Sequence, residues 1–82
     1  MLRFHYKEKK EAIVITGIEG ITDNIVKIPS EINGKPVREI GPESFQNIKG
    51  IKVIEIPNTV VKIGKWAFSN CSDLQEMNIP DT

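Results

Sequence analysis

Histidine, cysteine and tryptophan each occur once among the 82 residues, at His5, Cys71 and Trp66, and the formal net charge is zero. A lone cysteine excludes an intrachain disulfide, so packing alone must hold the fold. His5 has no Cys, Asp or Glu cluster at metal-ligand spacing beside it, so no metal centre is expected. Eleven basic residues balanced by eleven acidic ones give no long-range field to steer the chain to nucleic acid or an anionic membrane. Nowhere do about 18 apolar residues run together. The stretch Met1 to Lys7 lacks the apolar segment of a signal peptide. As written, the chain is expected to be neither exported nor inserted in a membrane. The Gly-Lys pairs at Gly34 and Gly64 lack the upstream glycine and the following Ser or Thr of a phosphate loop. With no nucleophile, base or metal set in view, neither catalysis nor a cofactor is expected.

What is present is a globular balance, 39% hydrophobic and 27% charged, arranged in a repeat. Ile56-Pro57 and Ile79-Pro80 stand 23 residues apart, each closing a run of the same shape, Ile51 to Pro57 and Leu74 to Pro80. Between them Ile40-Gly41 answers Ile63-Gly64, Phe45 answers Phe68, Asn47 answers Asn70 and Ile48 answers Cys71. An earlier copy, Ile25-Val26-Lys27-Ile28-Pro29, lies 28 residues before Ile51 to Pro57, counted from Ile28 to Ile56. The extra length falls at Ile32-Asn33-Gly34-Lys35-Pro36, where Asn-Gly suits a type I′ turn and predicts a small hairpin outside the stack.

Each slot has a physical task. In Ile51 to Pro57, Ile54 and Ile56 alternate with Val53 and Glu55, as a short half-buried strand requires. Pro57 lacks an N–H and ends the strand. Gly64 allows a corner that a residue with Cβ would resist. Trp66 to Cys71 has room for about one helical turn, with Ala67, Phe68 and Cys71 inward at spacings of three and four. Asn47 and Asn70 are expected to bond turn backbone through their amides. Such a unit cannot close a core alone, so copies stack, with strands side by side in a parallel sheet and the Phe and Cys slots in columns. Ahead of the repeats, Leu2 to Tyr6 and Ala12 to Ile18 flank the charged run Lys7 to Glu11. This reads as a hairpin covering the first coil.

On Val60 to Cys71 and Leu74 to Pro80 the sequence resembles the BspA-like leucine-rich repeats, whose unit runs L-x-x-I-x-I-P-x-x-V-x-x-I-G-x-x-A-F-x-x-C-x-x-L. The earlier unit departs by Ser44 for Ala, Ile48 for Cys and Ile51 for Leu. Ile15 to Gly41 looks like the family's entry into its repeats. The resemblance implies a right-handed leucine-rich-repeat solenoid; with the short strands, single helical turns and N-terminal β-hairpin cap read from the residues, the expected fold is a short α/β solenoid. The expected division is 1–24 for the cap and 25–82 for about two and a half repeats (25–50, 51–73 and a partial 74–82). It also implies adhesion or host-protein binding, at the cell surface or in secreted form where the chain belongs to a longer bacterial precursor.

The expected function is therefore non-enzymatic protein binding. Period two turns Ile25 and Lys27, Val53 and Glu55, then Glu76 and Asn78 away from the core in two columns. Lys27 beside Glu55 suggests a cross-strand ion pair. Trp66, where the preceding unit has Glu43, adds an aromatic of the kind found at binding hot spots, or one lying across the neighbouring turn. The competing expectation is a structural role, copies joining through the C-terminal repeat and the run Leu74 to Ile79. Cys71 reads as a small inward filler with a raised pKa, and His5 as a structural residue of the hairpin.

Overall fold

The structure is a computed structural model that describes residues 2–20 and 23–78. Within them the chain winds in coils, and three ladders run along the stack. The first is a parallel sheet of β3 (Ile25–Lys27), β6 (Val53–Glu55) and β8 (Glu76–Asn78), in that order. Its register sets Ile25 beside Val53 beside Glu76, Val26 beside Ile54 beside Met77, and Lys27 beside Glu55 beside Asn78. The middle residue of each strand points inward: Val26 and Ile54 are buried and Met77 packs against the core. Pro29 and Pro57 follow two of these strands, each with one intervening isoleucine buried beneath it. The expected closure of the third at Ile79-Pro80, and the final residues to Thr82, lie outside the described residues.

The second ladder is built on β5 (Lys35–Ile40), which pairs in parallel with both β2 (Ile13–Glu19) and β7 (Lys62–Ile63). The N-terminal run does form a hairpin: β1 (Arg3–Glu8) pairs antiparallel with β2. That hairpin extends this second sheet and leaves the free edge of β3 uncovered among the described residues. Ile15, Ile40 and Ile63 occupy equivalent places, and each coil's glycine reaches back, Gly41 N–H donating to the Ile15 carbonyl at 2.8 Å and Gly64 N–H to Ile40 at 2.7 Å. The expected Asn-Gly hairpin is also present, β4 (Glu31–Ile32) against the start of β5, with Asn33 and Gly34 at φ 54° and 79° as a type I′ turn requires.

The third ladder corrects the expected helical turns. Residues 42–47 and 65–70 are runs of turns, and no helix occurs among the described residues. Alternate amides divide their bonding. The N–H groups of Glu43, Phe45 and Asn47 donate to the carbonyls of Lys65, Ala67 and Ser69 on the next coil, at 3.1, 2.8 and 2.8 Å. Those of Ser44 and Gln46 donate three residues back within their own coil, as do those of Ala67 and Ser69. An α-helix would instead bond its interior amides four residues back within the same coil. It would also keep φ negative, whereas Glu43, Asn47, Trp66 and Asn70 sit at +59° to +63°. The asparagines serve by tolerating this left-handed conformation. The expected amide bonds to turn backbone do not form, since neither side chain has a hydrogen-bond partner among the described residues.

Between the ladders lies a core of Ile13, Ile15, Val26, Ile28, Val37, Ile40, Phe45, Ile51, Ile54, Ile56, Val60 and Ala67. Phe45 and Phe68 stack in a column, ring centroids 5.3 Å apart and tilted by 36°. Ser44 is the one buried polar side chain among the described residues. Its hydroxyl lies 2.6 Å from the Gly41 carbonyl and 2.9 Å from that of Ile15, donating to one at a time, so hydroxyl replaces methyl without leaving an unpaired polar atom.

Candidate functional site

The strand face carries the six residues that period two selects. Ile25, Lys27, Glu55, Glu76 and Asn78 are exposed and Val53, on the central strand, is half-buried. Ile25 is 48% exposed, a large apolar side chain with no cover. A shallow depression lies between β6 and β8, lined by Val53, Ile54, Glu55, Glu76, Met77 and Asn78. A second continues toward Lys27, Ser30 and Pro57.

Two side chains on this face differ from expectation. Lys27 and Glu55 are register neighbours yet form no ion pair. Both charged groups are left to solvent, where a pair is worth little. Asn78 is engaged: Ile56 N–H donates to its Oδ1 at 2.8 Å, and its Nδ2 donates to the Ile56 carbonyl at 2.9 Å. The side chain thus supplies both partners that a neighbouring strand's backbone would offer Ile56.

Trp66 is 57% exposed and does not lie buried across the neighbouring turn. It occupies a left-handed position at φ 61°, and Glu43 sits at φ 60° in the preceding coil. A bulky residue there costs about 1–2 kcal/mol. The Lys65 ammonium stands 4.7 Å from the ring centroid, a contact not anticipated from the repeat pattern, and such a cation–π pair at an exposed site contributes about 0.5–1 kcal/mol. Val61, 60% exposed where the equivalent residue is Arg38, was also outside the residues selected from sequence.

The remaining chemistry-bearing groups are tied to structure. Cys71 is partly buried and donates from Sγ to the Phe45 carbonyl at 3.0 Å; burial pushes its thiol pKa up. His5 is exposed, with Nε2 3.2 Å from a Glu19 carboxylate oxygen. No group of three or more His, Cys, Asp or Glu residues that could hold a metal occurs among the described residues. Nor is any helix there long and apolar enough to cross a membrane.

Residues 20–82 match the family model for the BspA-type leucine-rich repeat region of six copies. The chain belongs to the BspA-type leucine-rich repeat family. Two crystal structures of leucine-rich repeat proteins are similar to this chain. One is the leucine-rich repeat protein of T. pallidum, with 31% identity over 95% of this chain and a TM-score of 0.88. The other is a leucine-rich repeat protein of Bacteroides ovatus, with 30% identity over 98% of this chain and a TM-score of 0.81. This chain spans 37% and 22% of their respective lengths. No curated protein matches it. BspA-type repeats generally serve as protein-interaction modules, and none of these likenesses indicates an enzymatic family.

Proposed function

We propose that this chain is a protein-binding module whose contact surface is the outward face of β3, β6 and β8, serving adhesion or host-protein binding at a cell surface or in secreted form. In this reading residues 1–24 cap the stack and 25–82 form the repeats. The observation that supports it is the register, which aligns Ile25, Val53 and Glu76 in one row and Lys27, Glu55 and Asn78 in a second, on a surface that carries no core residue. Ile25 and Val53 offer apolar contact, and Lys27 and Glu55, which do not pair with each other, offer short-range charge selection. Asn78 fixes the last strand to Ile56 and acts as a positioning residue. Trp66, held in a costly conformation without burial, belongs to a second contact point on the turn ladder.

The test is affinity capture from host and bacterial surface fractions with the parent chain, with Val53→Arg, and with Lys49→Glu as a control off the face. Partners lost with Val53→Arg and kept with Lys49→Glu support the strand face. Capture unchanged by Val53→Arg refutes it.

A second reading rests on Ile63, which is 36% exposed while its equivalents Ile15 and Ile40 are fully buried. Among the described residues β7 and β8 are each paired on one side only. These edges accept a further coil, which a second copy of the chain could supply by self-assembly. Light scattering across a wide concentration range tests this. A mass rising with concentration favours assembly, and a constant monomer mass removes it.

A further inference from the structure

Six asparagines occur in the sequence, and Asn33 alone precedes glycine; the others precede isoleucine, threonine or cysteine. The backbone nitrogen after an asparagine can attack that asparagine's side-chain amide carbon, and a side chain on the attacking residue hinders the approach. Glycine has none. Both Asn33 and Gly34 are exposed, and the space where a Cβ of Gly34 would stand has no atom within 4 Å.

The same asparagine holds two parts of the fold together. Its Nδ2 donates to the Glu8 carboxylate and to the Tyr6 hydroxyl, both at 3.2 Å. Lys35, just past the turn, reaches the other Glu8 oxygen at 2.8 Å and donates to the Lys9 carbonyl at 2.8 Å. Glu8 is therefore the centre of a polar clasp between the β1–β2 hairpin and the β4–β5 hairpin, with Asn33 as its neutral arm.

We propose that Asn33 is a site of spontaneous deamidation, and that its conversion to aspartate or isoaspartate opens the neutral arm of this clasp. Gly34 N attacks Asn33 Cγ and a new C–N bond closes a succinimide ring. The Cγ–Nδ2 bond breaks, and the nitrogen leaves as ammonia with the proton that Gly34 N gives up. Water then adds to one imide carbonyl and the ring opens. Opening at Cγ gives aspartate, and opening at the backbone carbonyl gives isoaspartate. Water is the only co-reactant.

Either product removes the donor and sets a second carboxylate against Glu8, which is a repulsion in place of a hydrogen bond. Isoaspartate also adds a carbon to the main chain of a two-residue turn. That addition disturbs the pairing of Glu31 with Pro36 and Ile32 with Lys35. The change is irreversible under these conditions, so the clasp has a chemical lifetime as well as a thermodynamic strength.

The experiment incubates the full chain in mildly alkaline buffer at physiological temperature and maps peptides with detection of isoaspartate. The expected result is acid products at Asn33 while the other asparagines stay intact. If Asn33 keeps its amide over a period in which the denatured chain loses it, the folded turn shields the site and the proposal is overturned. The clasp is tested separately by following the Glu8 carboxyl by NMR titration in Asn33→Asp and Asn33→Gly. Both variants are expected to raise its pKa through loss of the donor, Asn33→Asp further through the added charge. An unchanged Glu8 titration in both would overturn the role of Asn33 in the clasp.

Discussion

Gly64 gives the most direct test of how closely the coils pack. A Cβ there would overlap Pro42 N and lie 2.7 Å from Gly41 C and Pro42 Cα, all backbone atoms of the preceding coil. Ordinary contact begins near 3.5 Å, so Gly64→Ala must part the two coils by about 1 Å. Overpacking of this kind costs about 1–3 kcal/mol. The same movement stretches the Gly64 to Ile40 hydrogen bond, now 2.7 Å, at about 1 kcal/mol. Restricting the unfolded chain by exchanging glycine for alanine offsets about 0.4–1 kcal/mol. The net loss is about 1–4 kcal/mol, set against the roughly 4–12 kcal/mol expected for a chain of this length. It should lower the thermal midpoint by about 5–30 °C. Urea denaturation followed by circular dichroism measures it, with Gly50→Ala as the comparison. Gly50 has φ 89° and nothing within 4 Å of its Cβ position, so that variant carries only conformational strain of about 1–2 kcal/mol. A loss below about 0.5 kcal/mol for Gly64→Ala would refute contact between coils as the reason for the glycine.

Phe45→Ala removes a ring that is 1% exposed and stacked on Phe68, and should cost about 3–5 kcal/mol in the same denaturation assay. The Glu8 carboxyl is held below the usual carboxylate range by hydrogen bonds from Lys35 and Asn33 and by the Lys35 charge. Its folded pKa lies below its unfolded value, so its contribution is present above the unfolded pKa and is lost as pH falls through the folded one. Glu8→Gln should accordingly flatten the acid limb of a stability–pH profile. Cys71, its pKa raised by burial, should resist alkylation at neutral pH in the folded chain and react promptly once urea unfolds it, as a thiol-counting assay would show.

The stack was readable because its signals are local. The spacing of the Ile-Pro pairs gives the register of β3 and β6, and period two separates Val26 and Ile54 from their outward neighbours. Asn33-Gly34 specifies its own turn, since both residues accept positive φ. The turn ladder was hidden, because inward positions at spacings of three and four fit a helix as well as they fit a run of turns. Glutamate at 43 and tryptophan at 66 give no hint of a left-handed backbone. Bonds between coils outweigh local preference at both positions. The parallel partnership of β2 with β5 was likewise invisible, because a strand pattern does not name its neighbour. On the candidate face, orientation followed from period, whereas the engagement of Asn78 with Ile56 and the separation of Lys27 from Glu55 depend on side-chain conformations that no spacing encodes.

The division of amides along residues 42–47 and 65–70 sets a parity rule for this architecture. Odd-numbered amides in the first run reach the next coil and even-numbered ones turn back on their own. Inserting one residue there would exchange the two roles for everything downstream in the run. Groups meant to bridge coils would point along the chain, and Phe68 would leave its column. Inserting two would restore the roles while lengthening the loop. Length variation within the turn ladder is therefore tolerated in even steps. The odd five-residue difference between the first two units is accommodated by the Asn-Gly hairpin, which stands outside this ladder and is free of the rule.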